Sequence, residues 1–99
     1  MEYFFNGSWF HWDDHKAKKN HEKHGVTFPE ACEVFDDPFY HMEAAGAEAE
    51  ERWLILGYST RQRLLAVVAA APEEQAWRII SARPATPGER QKYEEDDSN

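Results

Sequence analysis

Three stretches of the chain are apolar at consecutive rather than alternating positions: Trp53-Leu54-Ile55-Leu56, Leu64-Leu65-Ala66-Val67-Val68 and Ile79-Ile80. A strand wetted on one face alternates apolar and polar residues, so these runs call for cover on both faces. The segments between them, Ser59-Thr60-Arg61-Gln62 and Pro72-Glu73-Glu74-Gln75, are polar and too short to cross over to a parallel neighbour. Strands over residues 52–58, 63–70 and 76–83 are therefore expected to form an antiparallel meander. A chain of 99 residues makes a single domain, 1–99. Its few short helices leave two ways to finish the sheet. Either another chain completes part of one face, or the last helix and residues 39–51 wrap far enough to do so.

Around the meander the helix signals are local and specific. Asp13-Asp14 follows the aromatic strand-like run 8–12 and starts a helix that Gly25 stops. Ala17 is its only aliphatic residue, which makes Ala17, Asn20, His21 and His24 the inward face, packed by polar contacts. Thr27-Phe28-Pro29-Glu30 and Thr86-Pro87-Gly88-Glu89 are both capping boxes with proline in the first turn. The first opens a short helix carrying Phe28, Ala31, Val34 and Phe35 inward and ending near Pro38. The second opens a final helix through Tyr93. Residues 1–9 read as an N-terminal extension and 94–99 as a frayed acidic tail. One edge strand is expected at 39–42, the acidic stretch Glu43, Glu48, Glu50, Glu51 reading as a solvated loop. The fold class is α+β: a twisted antiparallel sheet of three to four strands, two N-terminal helices on one face and a C-terminal helix at the strand ends.

Several function classes fall on composition. The lone Cys32 forms no internal disulfide, and the longest apolar run, 64–71, is far short of the roughly 20 residues that span a bilayer. No cleavable signal opens the chain, so the cytoplasm is expected and no membrane partner. The net charge is −8, and without Glu94, Glu95, Asp96 and Asp97 it is still −4. Indiscriminate binding to polyanions is disfavoured unless the cations are gathered in one place.

Two constellations bear on chemistry. His11, His15, His21 and His24 include ligand spacings, yet His11 precedes the helix and no Cys-x-x-Cys or His-Glu-x-x-His accompanies them, so a polar helix with surface imidazoles is the better reading than a metal-dependent hydrolase. Cys32 reads as a core residue. The arginines at the strand ends are more informative. In the meander Arg63 and Arg83 come to the same end, where they are expected to share one site, with Glu89, Arg90 and Tyr93 projecting toward it from the final helix. Guanidiniums, a phenol and a carboxylate suit a phosphodiester, the arginines stabilising developing charge and the others moving protons. Ordinary ion pairing, Arg83 with Glu89 or Glu94, is the competing reading.

In order along residues 10–94, Trp12-Asp13, Asn20, Lys23-His24-Gly25-Val26-Thr27-Phe28, Val34-Phe35-Asp36-Asp37-Pro38, Gly57-Tyr58-Ser59, Arg63-Leu64-Leu65, Arg78-Ile79-Ile80-Ser81-Ala82-Arg83, Glu89-Arg90 and Tyr93-Glu94 resemble the BrnT family of type II toxins. The resemblance implies a RelE-like fold and a ribonuclease that blocks translation without metal or cofactor. It also implies neutralisation by a BrnA-type ribbon-helix-helix antitoxin, which alone contacts operator DNA. Under that implication Arg63 and Arg83 clamp the phosphate, Tyr93 or Glu89 moves protons, and Arg52, Arg78 and Arg90 bind RNA. The chain departs from the family pattern at Pro84, where relatives commonly carry a basic residue, and at Ala69-Ala70-Ala71, where they place polar residues. Its acidity implies weaker RNA affinity than a basic relative's at equal salt. A reading from another class keeps the fold and drops the enzyme: a non-catalytic module that pairs with a DNA-binding antitoxin as co-repressor.

Overall fold

The computed structural model describes residues 1–47, 51–73 and 76–97. The chain runs β1 (Glu2–Phe5), β2 (Ser8–His11), α1 (Asp14–His24), α2 (Phe28–Glu33), a 3-10 turn (Val34–Asp36), β3 (His41–Ala47), β4 (Glu51–Tyr58), β5 (Leu64–Glu73), β6 (Ala76–Pro84) and α3 (Pro87–Asp97). The helix signals act as expected. Asp13 caps α1 by accepting from the backbone N–H groups of His15 and Lys16, which hold its carboxyl below the ordinary carboxylate range. Gly25 ends the helix with φ +70°, a conformation that costs a residue with a Cβ.

The described strands form one six-stranded sheet in the order β1-β2-β6-β5-β4-β3. The antiparallel meander β4-β5-β6 is as expected; the strand count and uniform antiparallel direction are not. The residues expected as an extension form the β1–β2 hairpin, and β2 lies parallel to β6, pairing Phe10 with Trp77 and His11 with Arg78. The two helices therefore follow a hairpin instead of opening the fold. Asn6-Gly7, both at positive φ (+51° and +85°), supplies the two-residue turn whose twist matches its strands, and that dipeptide is the sequence signal for it. The acidic stretch expected as a loop is strand β3 up to Ala47, antiparallel to β4 with a bulge between Ala44 and Ala47; Glu48 and Glu50 lie outside the described residues. The tail expected to fray from residue 94 continues α3 to Asp97.

Alternation along each strand divides the side chains between two faces. On one, Phe10, Trp12, Ile55, Leu65, Val67, Ala69, Ile79 and Ala82 pack against Val26, Phe28, Ala31, Cys32 and Val34 of the helical segment. Asn20 fixes α1 to this face: buried, it donates to the carbonyls of Val26 (3.0 Å) and Ala82 (2.8 Å) and accepts from the Ala82 N–H (3.1 Å). That is the polar packing expected of α1, although His21, also placed inward, is exposed. Gly57 lets β4 pass under the 3-10 turn, since a Cβ there would meet Val34 at 3.0 Å. On the other face Leu56, Leu64, Ala66 and Tyr93 form a smaller cluster beneath α3. α3 meets β3 and β4, and toward β2 and β1 the face lies open, with Phe4 and Trp9 exposed. Of the two ways to finish the sheet, wrapping by the chain itself is only partly realised.

Candidate functional site

Arg63 and Arg83 come to the same end of the meander, because Leu65 pairs with Pro84 and Ala66 with Arg83. They do not share a site. Arg83 stands opposite Ala66, on the α3 face, whereas Arg63 has the parity of Leu65 and Val67 and turns to the α1–α2 face. Spacing along the strands sets their common end, and the parity of the two positions sends the side chains to opposite sides of the sheet.

On the helical face Arg63 forms a fork with Glu30: Nε donates to Oε2 (3.0 Å), and Nη2 to Oε1 and to the Gly25 carbonyl (3.0 Å). Glu30 is 5% exposed and also accepts from the Ser59 hydroxyl (2.8 Å). The Arg63 hydrogen bonds hold its carboxyl below the ordinary range against the opposing effect of burial. This cluster ties the end of α1, the start of α2 and the β4–β5 turn together.

On the other face Arg83 donates two parallel bonds to Glu89, 2.7 and 2.8 Å. Glu89 completes its capping box, accepting from the Thr86 N–H (2.9 Å) while its own N–H donates to Thr86 Oγ1 (3.2 Å). Arg83 before all else, with help from Thr86, brings the Glu89 carboxyl down to about 2. Next along α3, Arg90 donates to the Tyr58 hydroxyl (3.1 Å). Tyr93 is buried, stacks edge-on with Tyr58 and donates its hydroxyl to Asp37 (2.7 Å). Asp37 also accepts from the N–H groups of Tyr58 and Phe39. Lys92 bonds Glu43 at 2.9 Å. Arg52 and Arg78 lie on this same face, in one cross-strand row through Ala70. The face thus gathers Arg52, Arg78, Arg83 and Arg90 with Glu89, Tyr93 and Tyr58. Tyr58 was not anticipated; its place in Gly57-Tyr58-Ser59 at the end of a strand was the available signal.

Burial pushes the Cys32 thiol up to about 12, with the Glu33 charge adding, so it is an inert core residue. His11 lies on β2 and His15, His21 and His24 on α1; among the described residues no three His, Cys, Asp or Glu side chains gather as a metal site requires.

A family model described as the ribonuclease toxin BrnT of type II toxin-antitoxin systems matches residues 12–89. The chain belongs to the BrnT family. The crystal structure of the Brucella abortus ribonuclease toxin BrnT is similar in fold, with a TM-score of 0.57 at 23% identity, over 76% of this chain and 92% of that one. No curated protein sequence matches. BrnT membership makes this a toxin of the type II class, for which an antitoxin partner is implied, and describes the family as ribonucleases. Among the described residues no helix is long and apolar enough to cross a membrane. The hairpin turn and Trp9 lie before the segment that the BrnT model matches.

Proposed function

We propose that this BrnT chain is itself an active endoribonuclease of the cytoplasm that inhibits translation by cutting RNA without a metal. The observation that carries the reading is the Arg83–Glu89 fork at the start of α3, flanked by Arg90 and Tyr58 on an arginine-bearing sheet face. The ribose 2′-hydroxyl gives its proton to water as its oxygen attacks the adjacent phosphorus, the bond to the 5′-oxygen breaks, and the products are a 2′,3′-cyclic phosphate and a 5′-hydroxyl. Arg83 and Arg90 carry the charge that develops on the phosphoryl oxygens. Glu89 remains ionised at neutral pH and has no proton to give, so its part is to aim the Arg83 fork. Tyr93 directs its proton inward to Asp37 and supports Tyr58, while the Tyr58 phenol, accepting from Arg90, delivers a proton to the leaving 5′-oxygen. Arg52 and Arg78 hold the strand farther along the face. Arg63 acts through the fold, anchoring α1 and α2.

The test is incubation of the purified chain with a defined RNA in the presence of a chelator. Cyclic phosphate ends, lost in Arg83→Ala and reduced about 100-fold in Tyr58→Phe, are the expected outcome. Intact RNA with normal growth of cells expressing the chain alone, yet tight antitoxin binding, would leave the non-catalytic co-repressor reading in its place.

The antitoxin of this reading is a BrnA-type ribbon-helix-helix protein that contacts operator DNA on the toxin's behalf. A DNA-binding partner is basic, and the acidic end of α3 attracts it. Exposed Phe39, Tyr40 and Met42, at and before the edge strand β3 where Met42 pairs with Ile55, supply an apolar centre. Raising salt then slows association more than it speeds dissociation, because steering acts on encounter and the apolar core on residence. A flat on-rate across a salt series, with ready dissociation at high salt, removes this interface.

A further inference from the structure

The N-terminal hairpin holds Phe4 and Trp9 edge-on with ring centroids 5.0 Å apart, and each is more than half exposed. Their strand neighbours Tyr3, Phe5, Phe10 and Trp12 all pack into the main core, so alternation places Phe4 and Trp9 on the open face. Their position relative to the cations is set by register. Trp9 pairs with Ala76 at the start of β6, His11 with Arg78, and both Arg78 and Arg52 with Ala70. Along β6 the order is then the aromatic pair, Arg78, and at the far end Arg83. Across the strands the row His11, Arg78, Ala70, Arg52 spans three strand spacings, roughly 14 Å. Glu2, opposite His11, is the carboxylate at the outer end of that row.

In a chain of net charge −8, arginines aligned on one open face beside exposed rings favour a polyanion with flat apolar groups and disfavour a basic protein. We infer that Phe4 and Trp9 form a base-stacking subsite for single-stranded RNA whose backbone follows β6 past Arg78 to Arg83. The inference rests on the ribonuclease reading and deepens it: the substrate must be unpaired where it meets the hairpin, because only an unstacked base offers its face to the rings. The hairpin turn and both rings lie before the segment 12–89 that the family model matches.

The experiment measures binding of fluorescent oligouridylate to full-length Arg83→Ala protein, which cannot cut it, alongside an abasic oligonucleotide of equal length and charge. Adding Phe4→Ala and Trp9→Ala is expected to weaken oligouridylate binding at least tenfold and to leave abasic binding unchanged, whereas Trp9→Phe retains most of the affinity. Unaltered thermal unfolding of the variants and wild-type-like binding of the abasic strand show that the fold persists. Equal oligouridylate binding with and without the rings overturns the inference, as does a loss of antitoxin affinity with no loss of RNA affinity, which makes the patch a protein interface. The wild-type background separates this from the parent reading. RNA cleavage with an unchanged KM in the ring variants defeats the subsite alone. Ring-dependent binding without cleavage defeats the ribonuclease and leaves the subsite standing.

Discussion

The starts of α2 and α3 are written alike, Thr27-Phe28-Pro29-Glu30 and Thr86-Pro87-Gly88-Glu89, and each glutamate receives a two-pronged arginine from the end of a strand. At α3 the box is reciprocal: Glu89 serves Thr86 and Arg83 together. At α2 only half of it forms; Thr27 accepts from the Glu30 N–H (3.3 Å), and the Glu30 carboxylate turns to Arg63 and Ser59. Exposure separates the two. Glu30 is 5% exposed and Glu89 14%, and their arginines 35% and 38%. A carboxylate nearly removed from water must satisfy its oxygens with a guanidinium and a hydroxyl, and it gives up the weaker bond to a backbone N–H. The same pair of residue types therefore makes a clamp on one face and, on the other, the fork proposed to bind phosphate.

The sharpest way to break this comparison is to remove each arginine. Arg63→Ala leaves a buried carboxylate with only the exposed Arg61 at 3.9 Å and is expected to cost about 3 kcal/mol in urea unfolding, while Arg83→Ala costs about 1 kcal/mol and abolishes RNA cleavage. Equal costs would mean that the two forks do the same work. Gly57→Ala, which drives a Cβ against Val34 beside the clamp, is expected to cost about 1–3 kcal/mol by overpacking, with no comparable cost for Gly88→Ala, where nothing lies within 4 Å.

Acid sharpens the comparison next. The Glu89 carboxyl lies at about 2 in the folded chain against an ordinary 4.5. The folded protein therefore binds protons less readily than the unfolded one, and the stability from this pair is fully present above pH 4.5 and lost as pH falls toward 2. Solvent screening through the exposed arginine limits it to roughly 1–2 kcal/mol. Glu89→Gln should remove that part of the acid dependence; a profile unchanged by the substitution would show the fork to be energetically silent. Glu30 is lowered as well, so its contribution has the same sign. The smallest effect concerns the caps. Thr86→Ala breaks a reciprocal box and is expected to cost about 1 kcal/mol, Thr27→Ala about half of that; the reverse order in thermal unfolding would contradict the half-formed box.

Legibility in the sequence followed the range of the interactions. The cap at Asp13, the Gly25 stop and the meander were readable because each depends on neighbours within a few residues, and the family string located the domain over most of the chain. The β1–β2 hairpin was announced by Asn6-Gly7, but its parallel docking on β6 pairs residues nearly 70 positions apart and no local pattern encodes it. For the candidate site, Arg83, Glu89 and Arg90 were legible as a group, since six- and seven-residue separations across a turn leave few alternatives. Tyr58 was not, because it joins them only when α3 folds back over β4.

What the sequence determined by itself was the three helices with their caps and the order of the meander. Tertiary structure alone decided on which face each side chain stands. A side chain's face is set by strand register, bulges and the side on which helices pack, and these depend on contacts summed over the whole sheet. That is why two arginines at one end of one strand pair became, on opposite sides, a structural clamp and a candidate site.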